Sequence, residues 1–211
     1  MTEIGWRSVA GQATVRDMTG YGMTIFETAI GACGIAWGPQ GVVAVQLPQG
    51  DADKTRARLK RRCPDANDRP PRPEIARAVA DITQLLAGVQ RDLGYVMLDM
   101  SDIPDFNQRV YAVARTIPPG ATMTYGEIAM RLGDRLLARD VGQALGKNPF
   151  PVIVPCHRVL AASGKSGRIK TGGFSAPGGV TTKLRMLSIE RAQPGGPTLF
   201  DDLPLIARNG R

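Results

Sequence analysis

The chain is 211 residues long, 43% of them hydrophobic, with 27 Lys/Arg against 19 Asp/Glu and a formal net charge of +8. That length allows one or two domains, and that apolar content allows a sizeable core, which excludes wholesale disorder. No apolar run approaches the roughly 18 residues needed to cross a bilayer, and the opening Met-Thr-Glu-Ile-Gly-Trp lacks the basic-then-apolar order of an export signal. The 3 cysteines are odd in number and too few for a disulfide scaffold, so a reducing, cytoplasmic compartment is expected.

Residues 1–22 have no periodicity and read as a loose leader. Thr28 to Trp37 is rich in β-prone and small residues. Gly38-Pro39-Gln40-Gly41 is a turn signal, and Val42 to Leu47 reads as a second strand, giving a hairpin. Asp51 can cap a short basic helix that ends before Pro64. Asp65 to Pro73 is polar and proline-rich and reads as a loop. Ile75, Val79, Ile82 and Leu86 recur at helical spacing up to Gly88. Tyr95 to Met100 is strand-like. The first half thus reads as a small α/β unit without a catalytic signature.

The second half reads as mostly helical. Val110, Val113, Ala114 and Ile117 share one face of a helix that stops at Pro118-Pro119-Gly120. Thr124-Tyr125-Gly126-Glu127 fits a capping box and predicts a helix over 125–132. Gly133-Asp134 makes a turn, and Leu136 to Gly146 a second helix. Such a pair is either a helix-turn-helix or an ordinary helical hairpin. Pro151 to Leu160 reads as apolar and extended, Ser163 to Gly179 as a glycine-rich mobile loop, and Val180 to Ala192 as a last helix with Val180, Leu184 and Leu187 on one side. Phe106 to Arg191 holds 13 basic and 4 acidic residues, so the whole basic excess of the chain lies there. A polyanionic partner such as nucleic acid would explain it, as would a merely solvated surface.

Chemistry concentrates at Pro155-Cys156-His157-Arg158. The thiolate is the reactive form of cysteine, and a neighbouring His or Arg favours it. His157 is the only histidine in the chain. Adjacent residues of an extended strand point to opposite faces, so a water between Cys156 and His157 is expected in place of a direct contact. Glu190 is a candidate to orient the imidazole. The alternative is an inert, buried cysteine with a chance neighbour. Cys33 reads as core and Cys63 as unremarkable surface.

The run Asn148-Pro149-Phe150-Pro151-Val152-Ile153-Val154-Pro155-Cys156-His157-Arg158-Val159 resembles the active-site signature of the O6-alkylguanine-DNA alkyltransferases. The resemblance extends from about Phe106 to Ala192. It takes in Thr124-Tyr125-Gly126-Glu127-Ile128-Ala129, Arg139-Asp140-Val141-Gly142 and Leu187-Ser188-Ile189-Glu190. It implies an α/β fold of two domains: a ribonuclease H-like unit over 1–100 and a helical, winged-helix-like unit with a helix-turn-helix over 101–192, followed by a tail, 193–211. It implies Cys156 as alkyl acceptor, His157 as its base through a water, Glu190 as the carboxylate holding that base and Asn148 as support for the turn. Tyr125 would meet N3 of a flipped guanine, and the carbonyls of Cys156 and Val159 its amino group. Arg139 would fill the gap left by the extruded nucleotide, with Thr124, Gly142, Ala144 and Arg158 completing the DNA-binding set.

The implied activity is stoichiometric repair of O6-alkylguanine, and less efficiently O4-alkylthymine, in double-stranded DNA entered from the minor groove. It calls for a monomer, no membrane, no cofactor and no metal. The zinc site that some members carry in the N-terminal half is not expected, because here that half offers only Cys33 and Cys63 and no histidine. Asp140 places a negative charge beside Arg139, to weaken phosphate contacts or to pair with an arginine. The family's loop tyrosine has no clear counterpart, with Phe174 or Ala176 near its place. Two other readings exist. A non-enzymatic lesion binder would lack the acceptor, which Cys156 argues against, and a thiol hydrolase would not need a helix-turn-helix. Leu199, Phe200, Leu203 and Leu205 in the tail could pack on the chain or on a partner.

Overall fold

The structure is a computed structural model and describes residues 20–162 and 171–192. The expected leader before Gly20, the first half of the glycine-rich loop and the C-terminal tail lie outside the described residues.

The hairpin forms as its turn signal requires: β2 (Cys33–Gly38) pairs antiparallel with β3 (Gly41–Gln46). Gly41 takes φ 139, a conformation closed to residues with a Cβ. A strand that begins at the last residue of the expected leader, β1 (Gly22–Phe26), pairs antiparallel with β2 on its other side. A two-residue strand in the expected loop, β4 (Asn67–Asp68), pairs parallel with β1, so the sheet order is β3-β2-β1-β4. Alternation sends Cys33, Ile35 and Trp37 to one face and Ala36 to the other. A bulge opposite Ala36 and Trp37 lets Val42 and Val45 both join the first face. Tyr95 to Met100 does not become a strand; a single rung joins Leu98 to Val42.

The Asp51 side chain caps α1 (Ala52–Arg62) by accepting from the Lys54 N–H at 2.7 Å. Thr55 anchors that helix to the sheet: its buried hydroxyl lies 3.1 Å from the Ala32 carbonyl and 2.8 Å from the Asp51 carbonyl. Leu59 packs with Met23, Ala36 and Ala44 on the second sheet face. On the first face, Ile75, Ala78, Ile82, Leu85 and Leu86 of α2 (Pro73–Leu86) join a core that continues without a break into the C-terminal helices.

There α3 (Asp105–Arg115) buries Val110, Tyr111 and Ala114. The capping box of Thr124 and Glu127 opens α4 (Tyr125–Arg131), and a short strand, β5 (Met123–Thr124), precedes it. The second helix begins later than expected. Arg135–Leu137 form one 3-10 turn capped by Asp134, and α5 (Ala138–Gly146) follows. Leu136 is therefore 86% exposed and belongs to the turn. β6 (Val159–Leu160) pairs parallel with β5. The last helix, α6 (Val180–Ile189), buries Lys183, Met186 and Leu187, whereas Val180 and Leu184 are exposed. Of the expected apolar side only Leu187 points inward, and Lys183 and Met186 take the other inward places.

Tyr111 locks α3 against α5: its buried hydroxyl donates to the Ala144 carbonyl at 2.9 Å, and its ring meets Phe150 edge-on. Tyr111→Phe keeps the packing and removes one net hydrogen bond. It should lower unfolding stability by about 1 kcal/mol, read as a lower urea midpoint at unchanged denaturant slope.

Candidate active site

Asn148 builds the turn that presents Cys156. Its amide nitrogen donates to the Val154 carbonyl at 2.9 Å, and its oxygen accepts from the Phe150 N–H at 2.9 Å, so both ends of the turn are tied from inside. The Val154 N–H donates to the Phe150 carbonyl at 2.8 Å. Val152 is forced to φ 75, a left-handed conformation that costs a β-branched residue on the order of 1–3 kcal/mol. Its burial among core residues holds it there.

After Pro155 the chain is not extended. Cys156–Arg158 form a 3-10 turn, closed by the Arg158 N–H donating to the Pro155 carbonyl at 2.9 Å. Successive side chains of such a turn diverge by roughly 120°. Cys156 lines two cavities, while His157 and Arg158 are buried and reach the carboxylate of Glu190.

Glu190 caps the C-terminus of α6. Its Oε1 lies 2.9 Å from His157 Nε2, and Arg158 embraces it with Nε to Oε2 at 2.8 Å and a terminal nitrogen to Oε1 at 2.7 Å. The other terminal nitrogen of Arg158 donates to the Ile117 carbonyl at 2.6 Å. Arg158, expected to contact DNA, is instead buried and braces Glu190 with every nitrogen of its guanidinium engaged. Burial alone would raise the Glu190 pKa, but the hydrogen bonds from His157 and Arg158 hold it at about 2. The ionised carboxylate fixes the proton of His157 on Nε2, leaving Nδ1 as the basic nitrogen. Nδ1 is buried and has no hydrogen-bond partner among the described residues.

Burial pushes the Cys156 thiol up; the Asn148 amide and the Lys183 ammonium oppose this without reversing it. Burial likewise lowers His157, against the pull of Glu190. The resting pair is therefore neutral thiol and neutral imidazole, and Arg158 does not promote a standing thiolate.

Lys183 escaped the sequence reading. Fully buried, it donates from Nζ to the Val159 carbonyl at 2.6 Å, and Nζ lies 5.9 Å from the centre of the Tyr125 ring. Burial lowers its pKa to about 8. Its spacing from Met186, Leu187 and Glu190, one helical face, was the available signal.

Cys156 separates two cavities. One, of about 530 Å³, is lined by Tyr125, Arg139, Gly142 and Phe174. The other, of about 630 Å³, reaches to α1. Burial raises the Tyr125 hydroxyl pKa, so it keeps its proton at neutral pH. A side chain at Gly172 would meet that hydroxyl at 2.9 Å. Arg139 is exposed, and Asp140 lines a separate cavity on another side of α5. Thr124 serves as the helix cap beside Tyr125. Ala144, expected at the DNA, is instead 2% exposed within the core, because its face of α5 packs on α3.

Residues 105–192 match the family model described as the DNA-binding domain of 6-O-methylguanine DNA methyltransferase. A methylated-DNA–protein-cysteine methyltransferase of Methanothermobacter thermautotrophicus is 34% identical over 157 residues, 74% of this chain and 78% of that protein. A protein of the same name from Mycobacterium tuberculosis is 47% identical over 98 residues, 46% of this chain and 55% of its own length. Among solved structures, the O6-methylguanine methyltransferase of M. tuberculosis superposes with a TM-score of 0.62 at 30% identity, covering 83% of this chain and 96% of that one. The M. tuberculosis protein in complex with DNA gives a TM-score of 0.61 at 30% identity, covering 80% and 92%.

The Glu190 cluster makes stability pH-dependent in two windows. His157 has a lowered folded pKa, so its contribution is full above about 6.5 and declines as the unfolded chain takes up a proton below that. Glu190 ionises at about 2 in place of 4.5, so its contribution is full above 4.5 and is lost as pH falls towards 2. Glu190→Gln should be less stable at neutral pH by about 3 kcal/mol, and the gap to wild type should close between those two values. Urea unfolding over a pH series measures it; a gap independent of pH would contradict the assignment.

Proposed function

The chain belongs to the methylated-DNA–protein-cysteine methyltransferase family, and from that premise we propose that it repairs DNA by moving an alkyl group from O6 of guanine, and less efficiently O4 of thymine, onto Cys156. One arrangement supports this above all others. A buried imidazole, oriented by a buried carboxylate through Nε2, has an Nδ1 without a hydrogen-bond partner among the described residues and follows the half-buried Cys156 in one 3-10 turn.

The chemistry follows from the resting state. His157 Nδ1 accepts the thiol proton through a bridging water as the substrate arrives, and Glu190 stabilises the imidazolium. The Cys156 sulfur attacks the alkyl carbon and the bond from carbon to O6 breaks. Tyr125, still protonated at neutral pH, passes a proton towards N3 of the departing base. The carbonyls of Cys156 and Val159 take the guanine amino group, and Lys183 holds the Val159 carbonyl from the other side. The product is a thioether, which offers water no easy carbon to attack, so each chain acts once. A thiol kept neutral between encounters is also spared by other electrophiles.

An O6 substituent lies inside the duplex stack, so the nucleotide must be extruded. We assign the helix-turn-helix of α4 and α5 to double-stranded DNA, approached from the minor groove, with Arg139 entering the vacated position. Gly142, on the same face as Arg139, lets α5 approach closely. We further assign residues 1–100 as a ribonuclease H-like supporting domain and 101–192 as a winged-helix-like reactive domain, acting as a monomer in the cytoplasm.

Incubation with duplex DNA carrying O6-methylguanine should add one methyl mass per chain, mapped to Cys156. Cys156→Ser should bind the DNA and gain nothing; a methyl group found on Cys33 or Cys63 would overturn the acceptor.

Arg139→Ala should slow repair of duplex DNA on the order of tenfold to a hundredfold, since unstacking costs a few kcal/mol and each 1.4 kcal/mol is tenfold. Reaction with free O6-benzylguanine, which needs no extrusion, should stay near wild type. Equal slowing of both in single-turnover assays would make Arg139 something other than the nucleotide's replacement.

A further inference from the structure

The cavity on the α1 side of Cys156 has no part in the chemistry above. It measures about 630 Å³, and Cys156 and Asn148 line it together with Arg58, Arg61 and Arg62 of α1. Those arginines stand three and four residues apart, on one face of the helix. Thr55, one turn before Arg58 and two before Arg62, ties the helix to the sheet, which fixes where they stand. Among the described residues none of the three forms a salt bridge, although neighbours on the same helix do: Lys54 pairs with Asp51, and Arg56 with Asp68. Burial holds Arg62 below its usual pKa; Arg58 adds to this, and Cys63 and Tyr111 oppose it.

The geometry of displacement connects this cavity to the reaction. Sulfur, carbon and departing oxygen lie in line, so the other three substituents of the carbon stand perpendicular to that axis. For a methyl group they are hydrogens. For a longer group one of them is a chain, and it must leave sideways into space bordering the Cys156 sulfur. The cavity of Tyr125 and Arg139 is filled by guanine. The remaining space is the arginine-walled one.

We infer that this cavity receives the tail of O6-alkyl adducts ending in an anionic group, with Arg58, Arg61 and Arg62 binding the anion. This rests on the alkyl transfer proposed above and deepens it to a substrate class. The step is the same for any such adduct. The bond from sulfur to carbon forms as the bond from carbon to O6 breaks, and the electron pair stays with guanine. The thiol proton leaves through His157, and guanine takes up one proton to regain its usual form. An anionic tail repels an incoming thiolate, and three unpaired guanidiniums offset that repulsion.

The test compares duplex DNA carrying O6-methyl-, O6-(3-carboxypropyl)- and O6-(3-carbamoylpropyl)guanine, with the intact protein and mass gain at single turnover. The last two match in shape and differ in terminal charge, which three methylenes separate from the reacting carbon. Wild type should transfer the carboxylate faster than the amide by about tenfold or more. Arg58→Gln/Arg61→Gln/Arg62→Gln should bring that ratio near one, whereas Arg56→Gln, outside the cavity, should keep it. A wild-type ratio of one overturns the inference, whatever the variants do. Equal slowing of all three substrates in the triple variant, with weaker salt dependence, also overturns it and assigns the arginines to DNA phosphate. Absence of methyl gain in wild type would instead sink the parent function.

Discussion

Glu190 ties together three parts of the chain. It stands at the end of α6, and it receives His157 and Arg158 from the reactive turn, while Arg158 reaches on to the carbonyl of Ile117 behind α3. Each partner satisfies a charge that burial would otherwise make costly, since an unpaired buried ion costs several kcal/mol. The cluster therefore has two functions in one geometry. It holds the 3-10 turn against the core, and it chooses which nitrogen of His157 carries the proton.

That choice has a kinetic consequence. With the proton on Nε2, Nδ1 is the basic nitrogen of the imidazole, and burial keeps the ring neutral. Burial also keeps Cys156 a thiol. A protein consumed by its own reaction gains from such a resting state, because a standing thiolate would react with whatever electrophile arrived first. Lys183 adds a third buried charge to the same neighbourhood, held between the Val159 carbonyl and the face of Tyr125.

The rest of the fold serves to make this arrangement rigid. One core runs from the first sheet face through α2 and α3 to α5 and the turn at Phe150 to Val154. The strained Val152 persists because Asn148 and that core surround it. α1 packs on the other sheet face and stands across a cavity from Cys156, so the N-terminal half helps shape that cavity's wall through Arg58, Arg61 and Arg62.

The sequence alone determined several features whose physical partners lie within a few residues. The capping box at Thr124 and Glu127, the cap at Asp51, the turn before Gly41 and the apolar spacing of α2 are local bargains between backbone groups and nearby side chains, so they are written in short windows. Pro155-Cys156-His157-Arg158, Asn148 and Glu190 were legible for another reason: together they resemble a family signature. Tertiary structure decided what depended on distant partners. β4 exists only because β1 offers an edge to an exposed Asn-Asp pair. Tyr95 to Met100 had strand-forming residues but only a single rung of partner. Arg158 and Ala144, placed at the DNA by resemblance, turned inward because Glu190 and Tyr111 meet them there. Lys183, like Arg158, is buried by a hydrogen bond to a residue more than twenty positions away. Desolvation and long-range hydrogen bonds carry no periodicity, and only the folded chain brings such groups within reach of one another.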